Sequence, residues 1–208
     1  MSDFIAYLCM DGNSHLLPDA TIETLHYINS DITDYSFLPE NIGLFVLNID
    51  CVNDKIKVPE HVKNVKIEYE DEKKFKFIPD VDTLILEKWP TLDFLPKIRK
   101  LEIYGSIERA HCESINFLPL GLEHLVLSTG ITENPINLMN LPLTTHTLEL
   151  FEINTTIPPQ IKTLIVDKIS TDLPETVENV ILKKNLFSDW KELDNFKRKY
   201  PEIKFTCL

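Results

Sequence analysis

Glycine is scarce in this chain, with 5 residues in 208. A barrel or sandwich joined by tight hairpins would ask for more, because two-residue hairpin turns need positive φ. Cysteine is scarce as well: Cys9, Cys51, Cys112 and Cys207 lie far apart, with no Cys-x-x-Cys pair. That spacing argues against a disulfide framework and against a clustered zinc site. Bases are few, 21 against 33 acids, for a formal charge of −12. Affinity for nucleic acid rests on neutralising phosphates, so no nucleic-acid partner is expected.

No apolar run approaches the roughly eighteen residues of a membrane span, so no membrane is expected. At the N-terminus Asp3 stands where a signal peptide wants positive charge, and Asp11 closes a short apolar stretch. These features point to a reducing, cytoplasmic compartment, a host's if the chain is viral. Nothing resembles a nucleotide loop, a nucleophile elbow or a zinc-protease helix. His111-Cys112 is the one soft-ligand pair, without further ligands beside it. The expectation is therefore a non-enzyme with no cofactor and no metal. With 43% hydrophobic and 26% charged residues, it should nonetheless fold around an ordinary core.

What the sequence has is proline in rhythm. An apolar residue precedes Pro18, Pro39, Pro59, Pro79, Pro96, Pro119, Pro142, Pro158 and Pro174, and Tyr200 precedes Pro201. Downstream the pattern is P-x-x-φ-x-x-φ-x-φ, with φ apolar. Its last two positions are Phe45/Leu47, Val65/Ile67, Leu84/Leu86, Leu101/Ile103, Leu125/Leu127, Leu148/Leu150, Leu164/Val166 and Val180/Leu182. The Pro79 and Pro96 copies are one residue tighter, and the Pro18 copy (Ile22, Leu25, Tyr27) one looser.

The φ-x-φ pair is the period-2 signature of a strand with one buried face. One copy cannot bury that face alone, so consecutive copies must stack. Proline cannot donate to a ladder and belongs at the corner before each strand. The predicted fold is an α/β solenoid, mostly β, with a parallel sheet on its concave face and short irregular or 3₁₀ convex returns. Coils of 16 residues, as from Pro142 to Pro158, leave no room for a helix. The 23-residue coils could hold a helical turn or two, in "ERAHCESINF".

"LPLGLEHLVLSTG", "LPKIRKLEIYGS" and "LPETVENVILKKN" resemble leucine-rich repeats, over about residues 17–208. The register is most similar to short Pro-anchored classes, namely bacterial-effector repeats and the FNIP repeats of amoebae and their viruses, with "ENPI" at Glu133–Ile136 as a fragment of the latter. The resemblance implies a leucine-rich-repeat arc acting as a protein-binding scaffold or adaptor. The family's ladder asparagine should fall three residues beyond the last φ. Those positions are Asp50, Glu70, Trp89, Ser106, Gly130, Ile153, Ile169 and Asn185. Corner backbone groups must then find other partners.

A single domain is expected, with an N-terminal cap strand and turn over 1–17, about nine coils over 18–186, and a C-terminal capping helix plus last strand over 187–208. Ser188 suits the helix N-cap, and Lys197, Arg198 and Lys199 suit its negative end.

Residues flanking φ-x-φ should point outward and stack between coils about 5 Å apart. One column reads His26, Val46, Lys66, Ile85, Glu102, Val126, Glu149, Ile165, Ile181; the next reads Ile28, Asn48, Glu68, Glu87, Tyr104, Ser128, Phe151, Asp167, Lys183. Val126, Phe151, Ile165 and Ile181, with Ile85 and Tyr104, are expected to form an exposed apolar strip, flanked by Lys66, Glu87, Glu102 and Glu149. Another protein is the expected partner, so Val126→Lys with Ile165→Lys should fold yet lose it. Self-association through the same strip is the alternative. A solenoid carbohydrate-active enzyme using Glu68 and Glu87 is a further one.

Overall fold

The computed structural model describes residues 5–8, 22–27, 34–36, 38–48, 57–68, 80–87, 97–105, 118–128, 137–153, 156–169, 172–183 and 190–208. Among the described residues eleven strands form one sheet in strict chain order. They are β1 (Ile5–Leu8), β2 (Ile22–Tyr27), β3 (Ile42–Asn48), β4 (Asn64–Glu68), β5 (Thr83–Leu86), β6 (Lys100–Ile103), β7 (His124–Leu127), β8 (Thr147–Ile153), β9 (Thr163–Ile169), β10 (Asn179–Leu182) and β11 (Lys204–Cys207). Every adjacent pair is parallel. The chain is a β-solenoid, as the repeat predicts, and ten strand spacings give a sheet about 48 Å long.

The φ positions face one continuous core. Phe45, Val65, Ile67, Leu84, Leu86, Leu101, Ile103, Leu125, Leu127, Leu148, Leu164, Val166, Val180 and Leu182 are all buried in it. The first φ of each copy joins them from the corner, as Val62, Val81, Ile98, Leu122, Ile161 and Val177. Burying each such side chain stabilises the fold by about 1.5–3 kcal/mol. Thr145 takes that corner position in one coil, and its buried hydroxyl donates to the Leu122 carbonyl at 2.9 Å.

P-x-x-φ is a hydrogen-bonded turn. The proline carbonyl accepts from the φ amide three residues on in Pro59–Val62, Pro119–Leu122, Pro142–Thr145, Pro158–Ile161 and Pro174–Val177, at 2.9–3.1 Å. At the corner before each strand, backbone groups are met by backbone. The carbonyls of Asp82, Arg99, Glu123, His146 and Lys162 each accept two consecutive amides from the next coil. Within this row Arg99–Glu123 and Lys162–Glu178 pair at 2.8 Å. Gly43 sits where a Cβ would come within 2.7 Å of the Glu23 carbonyl oxygen. The β2–β3 approach therefore requires glycine there.

β8 and β9 run seven residues each and remain paired to Ile153 and Ile169. Among the described residues the only helix is α1 (Trp190–Lys199), which follows β10 and ends on Lys197, Arg198 and Lys199. Leu193 is buried, and Phe196 packs 4.9 Å from Tyr200 and 5.5 Å from Phe205. Lys199 pairs with Asp172, and the Leu173 amide donates to the Tyr200 hydroxyl at 3.0 Å. The stretch "ERAHCESINF", the fragment at Glu133–Ile136, the Asp11-Gly12 turn and Ser188 lie outside the described residues.

Candidate functional site on the outward sheet face

Strand register places His26, Val46, Lys66, Ile85, Glu102, Val126, Glu149, Ile165 and Ile181 side by side from β2 to β10. The next row continues beyond some strand ends. Tyr104 N–H donates to the Leu86 carbonyl at 3.0 Å, Ser128 N–H to Ile103 at 2.9 Å and Lys183 N–H to Val166 at 3.0 Å. Glu68, Glu87, Tyr104, Ser128, Phe151, Asp167 and Lys183 thus follow one another; Ile28 lies outside the described residues. A third outward row was not anticipated: Asn64, Thr83, Lys100, His124, Thr147, Thr163, Asn179 and Lys204. Period-2 counting backwards from the first row would have found it.

Across β4 and β5, Lys66 bridges two carboxylates, at 2.7 Å from Glu68 and 2.8 Å from Glu87. Burial opposes the charge on Lys66, but the two glutamates outweigh it and hold the ammonium above its usual value. Lys66 therefore offsets one of the two negative charges of the Glu68/Glu87 pair, and the oxygen of each that faces it is in use.

Across β6 to β9 the groups sit deeper. Glu102 is only 8% exposed. Lys100 Nζ lies 2.6 Å from one of its oxygens, and Tyr104 O–H donates to the other at 2.6 Å. Burial pushes the Glu102 carboxyl up, yet the bonds from Lys100 and Tyr104, with the charges of Lys100 and His124, leave it below the usual range. Tyr104 is pushed well above the usual phenol range, by burial first and then by Glu102. Glu149 pairs with Lys183 and stands 3.9 Å from His124 Nε2. Burial, with the charge of Lys100, holds His124 below its ordinary 6.5 despite Glu149 and Glu102. Two atoms in this region, His124 Nε2 and Asp167 Oδ1, are buried without a hydrogen-bond partner.

The apolar strip needs correction. Val126 is 1% exposed, not an exposed anchor. It is shorter than its row neighbours Glu102 and Glu149, whose stems flank it in register, and long charged side chains cover apolar surface well. Val126→Lys is accordingly not a neutral probe of binding. Ile85, Ile165 and Ile181 are half-buried, whereas Tyr104 and Phe151 are 50% and 44% exposed.

Sequence reasoning also passed over Leu120 and Leu143, 85% and 87% exposed in adjacent P-x-x-φ turns. The residue after the proline points away from the core, a rule the motif could have supplied. An open cleft of about 240 Å³ lies at the entry corners of other coils, lined by Glu60, Lys63, Asp80, Asp82 and Lys97 among others. It is at the opposite strand ends from Glu68 and Glu87. Among the described residues no group of three or more His, Cys, Asp or Glu is arranged to hold a metal, and no helix is long and apolar enough to cross a membrane. No protein-family model matches the chain, and neither a curated protein nor a solved structure matches it.

Proposed function

We propose that the chain is a non-catalytic module of the leucine-rich-repeat type that binds another protein along its outward sheet face, in the cytoplasm. One observation carries the reading: Tyr104 and Phe151, both about half exposed, stand in one surface with half-buried Ile85, Ile165 and Ile181. Aromatic residues beside partly exposed aliphatics, rimmed by charge, mark interaction surfaces. Lys66, Glu87, Glu102 and Glu149 then orient the partner rather than anchor it.

The test replaces the half-buried positions alone. Ile165→Lys with Ile181→Lys should keep the wild-type circular dichroism and unfolding midpoint, and lose the proteins that crosslink to wild type in native cytosol. Unchanged crosslinked species would overturn the face assignment. Self-association is the second reading, favoured by the same exposed rings and opposed by the −12 charge. A monomer by sedimentation across micromolar concentrations removes it. Hydrolysis at Glu68 and Glu87 finds less support, since Lys66 occupies both carboxylates and the cleft lies at the other strand ends.

A further inference from the structure

We infer that the partner bound by this face presents an arginine, and that its guanidinium enters a slot between Tyr104 and Phe151; the inference rests on the protein-binding reading above. The two rings belong to the same outward row, one strand apart on either side of Ser128. Two strand spacings separate their backbones by about 9.6 Å. A planar group held between two ring faces needs about 7 Å between them, twice a contact of about 3.5 Å. Ser128 is exposed and has the shortest side chain in the row, so it leaves that gap open. Tyr104 is steadied at one wall, because its hydroxyl donates to Glu102 Oε2 at 2.6 Å.

The charges around the slot favour a cation. Glu102, Glu149 and Asp167 face Lys100 and Lys183, and Lys100 and Lys183 are spent on Glu102 and Glu149. Three carboxylates against two ammonium groups leave one formal negative charge in excess, and burial works against a charge on His124. Asp167, next to Phe151 in the row, has Oδ1 buried without a hydrogen-bond partner. A buried acceptor without a donor is costly, and a guanidinium brings five donors in a plane. Arginine suits the slot better than lysine, because its flat cation stacks on both rings while its edge reaches a carboxylate.

The experiment titrates the full chain, ¹⁵N-labelled, with N-acetyl-arginine amide, N-acetyl-lysine amide and N-acetyl-citrulline amide. Arginine should give saturable shifts confined to the amides around Tyr104, Ser128, Phe151 and Asp167, with an affinity on the order of millimolar for a single side chain. Lysine should bind several-fold more weakly and citrulline not measurably. Phe151→Ala and Asp167→Asn, both outside the core, should each weaken arginine about tenfold. Absence of saturable arginine shifts, equal binding of citrulline, or shifts indifferent to both variants would each overturn the slot. Loss of partner crosslinks in Ile165→Lys/Ile181→Lys together with no arginine binding removes the slot and leaves the sheet-face reading standing. Crosslinks unaffected by that double variant remove both.

Discussion

The outward face carries two charged groups built on the same coil geometry, and they differ in depth. Across β4 and β5, one lysine meets two glutamates with side chains about a quarter to a half exposed, at 25%, 26% and 45%. Across β6 to β9, Glu102 and Glu149 side chains are 11% and 15% exposed, Val126 is sealed between them, and two polar atoms are buried without partners. The backbone does not explain this, since register runs unbroken through both regions. The difference is in the letters. A compact Val126 between long neighbours lets their charges fold inward, and Tyr104 closes over Glu102. The first group is a self-satisfied surface; the second keeps unmet bonding capacity beside exposed rings.

The sharpest way to break that contrast uses one row. Val126→Lys forces a charge into a sealed position and should cost about 3–5 kcal/mol by urea unfolding. Ile85→Lys, half-buried two strands away, should cost under about 1 kcal/mol. Equal losses at the two positions would mean the regions do not differ in depth.

A smaller effect separates the carboxylates. Glu102→Ala leaves Lys100 and the Tyr104 hydroxyl without their buried acceptor and should cost about 1–3 kcal/mol. Glu68→Ala leaves Lys66 paired with Glu87, so its cost should stay under about 1 kcal/mol. A larger loss from Glu68→Ala than from Glu102→Ala contradicts the assignment.

The smallest effect is in pH. The folded-state pKa of His124 is depressed, so between that value and about 6.5 the unfolded chain binds more protons, and stability falls as pH falls. The depressed carboxyl of Glu102 acts with the same sign, but only below the usual carboxylate range. Unfolding measured at about pH 7.5 and about pH 5.5 should show a loss in wild type that His124→Gln reduces. An identical slope in the variant would show that His124 is not the group responsible.

Much of the fold was legible because proline and the φ-x-φ pair report on backbone. A proline that opens each turn and a strand of period 2 fix the coil, and the coil fixes which residues stand side by side. Thus Glu68, Glu87 and Lys66 could be brought together on paper. Burial of Val126 could not, since it depends on which way Glu102 and Glu149 lean, and that depends on Lys100, His124 and Lys183 in other rows. Leu120 and Leu143 were hidden for the opposite reason: at the composition level they look like core.

The sequence by itself determined the order of the strands, their parallel stacking and the identity of the buried face, because local period and steric rules leave one way to bury so short a repeat. Only the tertiary structure decided the depth of each outward side chain. Depth depends on neighbours brought in from other coils, 16 residues away in Glu149–Ile165, 24 in Lys100–His124 and 34 in Glu149–Lys183, whose lengths and charges combine only once the coils are stacked.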